Sequence, residues 1–359
     1  MIKTFALNLP QFHRIPENDE WWGEGFTEWT NVQKSKPLFD GHYQPDGPLD
    51  DNYYDLSTPE AIVHQHDLAR EYGLDGFIYY HYWFNGKKLL EKPVEMLLDL
   101  PAATQAFCLC WANEPWTRVW DGKSGEVIMP QTFGGKDEWL AHIEYLMQFF
   151  RDNRYVKIGN RPVFYVYSPS RIPRFDEMVD VWNGVLASSG FGSLYLVEFI
   201  SGFNPSPFST HSSAVMEFEP LYSARYQIDP LMYCRRALAK KLGRPDYVDY
   251  DYLWRSLLRK NREYEGREIV KCGFTRFDNT PRKGRRALVT VGATPEKFGE
   301  YFAQMVEMPR VRQSDMVVVN AWNEWGEGAV LEPDEQFGYG WLKAFKCAVE
   351  RAQGAVKGI

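Results

Sequence analysis

The sequence predicts an α/β protein of the (β/α)8 type, a TIM barrel with long loops after strands one and six. Three observations predict it. Eight short apolar runs, rich in β-branched and aromatic residues, recur along the chain. Segments of helical period stand between most of them, and repeated strand–helix alternation builds a parallel sheet. Polar and aromatic residues gather just past the run ends, where a barrel collects its functional groups. A doubly wound open sheet needs similar units and is the structural alternative.

The elements follow in order. The first run is "IKTFALNL" (2–9). It is short, ends at Pro10 and Gln11 and has no small-residue cleavage site after it, so it reads as a strand and not a signal peptide. The connection Pro10 to Ser57 is far longer than ordinary βα loops and carries "NDEWWGEGFTEWTN". "TPEAIVHQHDLAREYG" is a helix with Thr58 as N-cap, Pro59 in the first turn and Gly73 as the stop. His64 and His66 within it do not share a face at that spacing, and both are read as surface residues. Next come "GFIYYHYW" (76–83), the helix "LLEKPVEMLLD", "AFCLCWAN" (106–113) and the helix "KDEWLAHIEYLMQFFRD". "RPVFYVYS" (161–168), the helix "FDEMVDVWNGVLASSG" and "LYLVEF" (194–199) complete five strands. "ISGFNPSPFSTHSS" has no helical period, so no helix is expected before "AVMEFEP" (214–220). A long excursion, Leu221 to Glu268, contains the helix "YDYLWRSLLRKNREYE". "IVKCGFTRF" (269–277), the helix "TPEKFGEYFAQMVEM", "DMVVVNAW" (315–322) and the helix "GYGWLKAFKCAVERAQ" finish the pattern. No repeat, low-complexity tract or linker divides the chain, so residues 1–359 are expected to form one barrel domain.

Composition narrows the class. No apolar run approaches the roughly 18 residues of a membrane span. A net charge of −7 argues against a nucleic-acid partner. One local exception runs from Arg235 to Glu268, with ten Lys/Arg against six Asp/Glu. It reads as a solvated helical surface or as a docking face for an anionic lipid or phosphate, which leaves peripheral membrane contact through 235–268 open. The five cysteines are odd in number, and Cys108 and Cys110 alternate within one run, a pattern of reduced thiols and a cytoplasmic address. With no Cys-x-x-Cys and seven scattered histidines, neither a metal nor a cofactor is expected. "GFG" (190–192) follows a helix and precedes a strand, the reverse of a dinucleotide loop. "DYD" (249–251) sits where a helix begins, where acids offset the dipole.

Aromatic residues make up 16% of the chain, and many stand in polar company. Aromatic walls with a few placed polar groups suit the apolar faces and hydroxyls of sugar rings. The candidate substrate contacts are Gln11, His13, Glu28 and Trp29 after strand one, and Tyr80, His81, Tyr82, Trp83 and Asn85 after strand two. Trp111, Asn113, Glu114 and Trp116 follow strand three, Glu217 ends strand six, and Arg276 and Asp278 end strand seven. Trp322, Asn323 and Trp325 end strand eight, around the candidate catalytic pair Glu324 and Glu327. Glycosidic cleavage uses one carboxylic acid to protonate the leaving oxygen and a second carboxylate as base or nucleophile. Burial and mutual repulsion separate such a pair's pKa values. Gly326 and Gly328 disfavour a helix, so a tight turn is expected there. Glu114 is a rival carboxylate, read as binding because the strand-eight pair is self-sufficient.

The blocks "LPQFHRIPENDEWWGEGFTEWTNV", "HYQPDGPLDDNYYDL", "GLDGFIYYHYWFNGKKLLEKP", "FCLCWANEPWTRVWDG" and "NAWNEWGEGAVLEPDEQFGYGWL" together resemble the WbsX-like family. That family is often labelled glycosyltransferase and is related to glycoside hydrolase family 99, the endo-α-mannosidases. The resemblance implies a (β/α)8 barrel. It matches "NEWGEG" here to "NEWHEG" of the hydrolases, so Gly326 stands where they carry His. By that match Glu327 looks like the acid/base at the glycosidic oxygen. Glu324 looks like the base that assists the sugar's own 2-hydroxyl, retaining configuration through a 1,2-anhydro intermediate. Three expectations follow: a retaining glycosidase acting on a bacterial surface polysaccharide or its precursor, a glycosyltransferase of O-antigen or capsule assembly, or a glycan-binding protein without turnover.

Overall fold

The structure, a computed structural model, describes residues 2–118, 123–202, 204–259, 263–264, 266–308 and 314–356. Eight parallel strands close into a barrel: β1 (Lys3–Asn8), β2 (Gly76–Phe84), β3 (Ala106–Trp111), β4 (Arg161–Val166), β5 (Tyr195–Ile200), β6 (Ser212–Glu217), β7 (Glu268–Phe274) and β8 (Met316–Asn320). Each expected run is a strand of this barrel. The reason is visible in burial: all nine residues of β2 and all five of β8 are buried, as strands covered on both faces must be. Closure is made by β1, which pairs with β2 (Phe5 opposite Gly76) and with β8 (Lys3 opposite Met316). An open doubly wound sheet is thereby excluded.

Helices Pro59–Glu71, Lys92–Leu98, Lys136–Phe150, Phe175–Ser188, Tyr250–Arg259, Pro295–Glu307 and Gly340–Val356 cover the outside, where the helical periods place them. Among the described residues of 201–211, between β5 and β6, there is no helix. Glu198 organises that connection instead, its carboxylate accepting the Phe208 and Ser209 amides at 2.7 and 2.8 Å. Two short strands, Asp246–Asp249 and Leu288–Val291, pair outside the barrel and tie the excursions after β6 and β7 together.

His66 corrects the surface reading of the His64–His66 pair. It is fully buried, its Nδ1 accepts the Gln105 amide at 3.1 Å, and its Nε2 lies 3.0 Å from the Tyr79 hydroxyl. Burial pushes its pKa down to about 3, so the ring stays neutral. It is a satisfied core histidine, a role that the spacing of two imidazoles does not reveal.

The long connection after β1 folds back over the barrel mouth. His42 Nε2 and Gln44 Nε2 meet Asp278 Oδ2 at 2.7 and 2.6 Å. Asp46 pairs with Arg276 at 2.8 Å, and Arg276 also pairs with Asp334 at 2.9 Å. These bonds fasten the loop to the segments that follow β7 and β8.

Candidate active site

The site begins where β8 ends. The Trp322 amide donates to the Leu7 carbonyl at 2.8 Å, and the Asn323 side chain bonds both the amide (2.7 Å) and the carbonyl (3.0 Å) of Leu9. This clamp sets the exit of β8 against the exit of β1. The chain then makes a two-residue pairing, Asn323–Glu324 against Ala329–Val330, closed by a single 3-10 turn, Trp325–Glu327. Gly328 takes φ +60, the left-handed conformation that glycine adopts without steric cost. The expected tight turn is present, and it puts Glu324 and Glu327 at its two ends.

One guanidinium holds both acids. Arg282, on the short helix Thr280–Lys283, pairs with Glu324 at 2.9 Å, with Glu327 at 3.0 Å and with Glu28 at 2.8 Å. Glu28 comes from the loop after β1, and its side chain is fully buried. The helix that carries Arg282 is set by Asp278, whose Oδ1 accepts the Thr280 amide at 2.9 Å while its Oδ2 takes His42 and Gln44. Burial works against ionisation of Asp278, but the bonds from His42 and Thr280 hold its carboxyl below the usual range.

Arg282 also accounts for Gly326. A Cβ at that position would lie 2.0 Å from Glu28 Oε1 and 2.7 Å from Arg282 Nε. The ion pair Glu28–Arg282 fills the space that any side chain at 326 would need.

The electrostatics are those of a desolvated, charge-dense site. Burial pushes Glu324 up to about 8; Arg282 pulls the other way, while Glu327 and Glu28 add to the rise. Burial opposes the charge on Arg282, yet its three carboxylate neighbours hold it firmly protonated. Burial, with Glu324 nearby, raises the hydroxyls of Tyr80 and Tyr82, which therefore stay neutral and able to donate.

A cavity of about 310 Å³ opens above this ion cluster, at the small end of ligand pockets. Of the expected residues, Gln11, Tyr80, Tyr82, Glu114, Trp116, Glu324 and Glu327 line it. Gln11 donates to the Tyr82 hydroxyl at 3.1 Å, and Glu114 accepts from Ser168 at 3.0 Å. Trp22, Tyr167, Phe218 and Arg282 also line it and were not among the candidates. Trp22 has a signal, since it belongs to the polar-flanked "WWGEG" cluster. Arg282 has none: its segment, "TPRKGRR", reads as an exposed basic turn.

The remaining candidates lie outside the cavity lining, most of them held by other partners. His13 is buried against the Pro10 carbonyl, and Trp29 donates to the Tyr54 carbonyl and packs beside Trp325. His81, Trp83 and Trp111 form a buried cluster around His142, with Trp83 stacked on its ring and Trp111 edge-on. Asn85 is an exposed turn residue at φ +50. Asn113 bonds the backbone of Ser168 in both directions. Glu217 pairs with the buried Lys271 at 2.8 Å. Arg276 and Asp278 fasten the overlying loop as described. Trp322 is buried against Phe77, Asn323 clamps Leu9, and Trp325 donates to Glu332 at 2.9 Å. Aromatic and polar residues at strand ends thus serve the support around the site more often than its surface, and residue type does not separate the two.

Comparison with known proteins places this architecture. The family model described as Glycosyltransferase WbsX matches residues 4–345. The chain belongs to the WbsX glycosyltransferase family. Two curated relatives are the uncharacterized WxcX proteins of Xanthomonas campestris pv. campestris, strains B100 and ATCC 33913, each 39% identical over 97% of this chain. The chain spans about half the length of these relatives, 49% of each. Among solved structures, the GH99 endo-alpha-mannosidase of Bacteroides thetaiotaomicron aligns over 99% of this chain and 98% of its own, with a TM-score of 0.57 at 12% identity. A glycoside hydrolase-like protein aligns over 97% of this chain and 93% of its own, with a TM-score of 0.61 at 12% identity. Those two likenesses concern the barrel fold.

Proposed function

We propose that this WbsX-family chain is a retaining glycosidase acting on a bacterial surface polysaccharide or its precursor. The observation that carries the reading is the convergence of Glu324 and Glu327 on one guanidinium at the base of an aromatic-walled, ring-sized cavity. In the proposed reaction Glu324 takes the proton of the sugar's 2-hydroxyl. That oxygen attacks C1 as the glycosidic bond breaks, and Glu327 delivers a proton to the leaving oxygen. Water then opens the 1,2-anhydro sugar: Glu327 takes its proton and Glu324 returns one to the 2-oxygen, so both acids recover their starting states. Tyr80, Tyr82 and Gln11 are positioned to bond hydroxyls of the ring, and Trp116 and Trp22 offer faces for stacking.

The test is Glu327→Gln. Turnover of the glycan should fall by about 10³-fold or more, while glycan binding by calorimetry stays within a few-fold of the parent. Undiminished turnover would remove the proposal. The family description favours a second reading, transfer from a nucleotide sugar. Tight binding of a nucleoside diphosphate in the same calorimeter would support transfer over hydrolysis.

A further inference from the structure

A surface far from the carboxylates has an arrangement opposite to that of an ordinary outer helix. The helix Pro230–Lys241 buries none of its residues. Its inward contact is polar: Arg236 pairs with Asp246 at 2.7 Å and also donates to the Ala224 carbonyl. At the other end Asp229 caps the helix, accepting the Met232 amide at 2.8 Å and the Tyr252 hydroxyl at 2.7 Å. Its apolar side chains point outward instead. Leu231 is 80% exposed, and Leu238 and Leu242 are each 57% exposed. At 3.6 residues per turn these three fall within about 40° of one another, a stripe roughly 16 Å long. With Tyr233, they account for half of the large exposed apolar residues among the described residues.

Charge singles out the same segment. Residues 230–245 hold Arg235, Arg236, Lys240, Lys241 and Arg244 and no acid, within a chain of net −7. Arg236 is spent on Asp246. The other four cations are exposed, and among the described residues none has an ion-pair partner. An outward leucine stripe on a helix that carries unpaired Lys and Arg beside and behind it is the composition of a helix that lies in a lipid interface. A protein partner fits less well, because interface cores are depleted in lysine.

We propose that the leucine face of the helix Pro230–Lys241, with Arg235, Lys240, Lys241 and Arg244, docks this protein on an anionic membrane surface. It narrows the basic stretch 235–268 to its first part, since helix Tyr250–Arg259 buries its own apolar face against the barrel. Through Arg236 and the Ala224 carbonyl, helix Pro230–Lys241 is strapped to the segment Leu221–Tyr226, whose first residue lines the cavity, so docking holds the cavity's rim near the lipid surface.

The experiment is co-sedimentation of the intact chain with vesicles of phosphatidylcholine alone or with added phosphatidylglycerol, at low and high salt. The expected result is binding only to the anionic vesicles, abolished by salt. Each cation should contribute about fivefold, so the quadruple Arg235→Glu, Lys240→Glu, Lys241→Glu, Arg244→Glu variant should lose on the order of 100-fold or more. The triple Leu231→Ser, Leu238→Ser, Leu242→Ser variant should lose at least about tenfold. Both variants should melt as the parent does, because the helix buries no residue. Absence of binding, equal binding to both vesicle types, or binding indifferent to both variants would overturn the proposal. So would concentration-dependent self-association that the leucine variant abolishes, which would assign the face to a second copy of the chain. None of these outcomes depends on the hydrolytic activity.

Discussion

Gly326 and the Glu28–Arg282 pair compete for one volume, and the chain has resolved the competition in favour of the ion pair. Gly326→Ala should push Glu28 off Arg282 and cost about 1–3 kcal/mol, read as a lowered Tm. Adding Glu28→Ala should recover much of that loss, because the clash goes with its partner; additive losses in the double variant would refute the shared-volume account. The glycine at 326 is legible in the sequence, but its reason is not, because Glu28 and Arg282 lie 254 residues apart. Glu324 supports a second prediction at this scale. A base held near 8 by burial is protonated at neutral pH, so kcat/KM should rise with pH along a limb near 8. Arg282→Lys keeps one charge but not the three-point fork, so the limb should move to higher pH and the rate should fall. A limb near 8 that descends instead would make Glu324 the acid and reverse the two roles.

Among elements, the strands were the legible part and the overlying loop was not. The eight runs are apolar throughout because barrel strands are covered on both faces, and burial on that scale writes itself into composition. The connection after β1 is held by single polar bonds, His42 and Gln44 to Asp278 and Asp46 to Arg276, across more than 200 residues. Such bonds have no period. Asp278 is therefore the hinge pin between two elements: it holds the loop on one side and starts the helix bearing Arg282 on the other. Asp278→Ala should free both, lowering kcat/KM by about 100-fold through displacement of Arg282. Limited proteolysis within residues 36–48 should quicken in parallel. A protected loop in that variant would show that Asp278 does not fasten it.

At the scale of the whole molecule, buried titratable groups of two kinds set the pH range of stability. Burial raises Asp46 to about 6, Glu332 to about 7, and Glu219 and Glu324 to about 8. A carboxyl held high favours folding fully below its ordinary value, and the benefit is lost as pH rises through the folded value. Burial also lowers His66 and His81 to about 3 and depresses His13 and His142. An imidazole held low favours folding fully above 6.5, and the benefit is lost as pH falls toward the folded value. Tm should therefore be nearly flat between about pH 4.5 and 6.5 and fall on both sides, as calorimetric scans across pH would measure. A maximum above pH 8 would contradict the assignment. Barrel closure bears on synthesis as well as on the finished fold. β1 shares one edge with β8, and Lys3 waits for Met316. At 5–20 residues per second the ribosome delivers that partner roughly 15–60 s after β1. Until then every partial sheet has two open parallel edges, so the nascent chain, more than the folded one, is the form most prone to pair with another copy of itself.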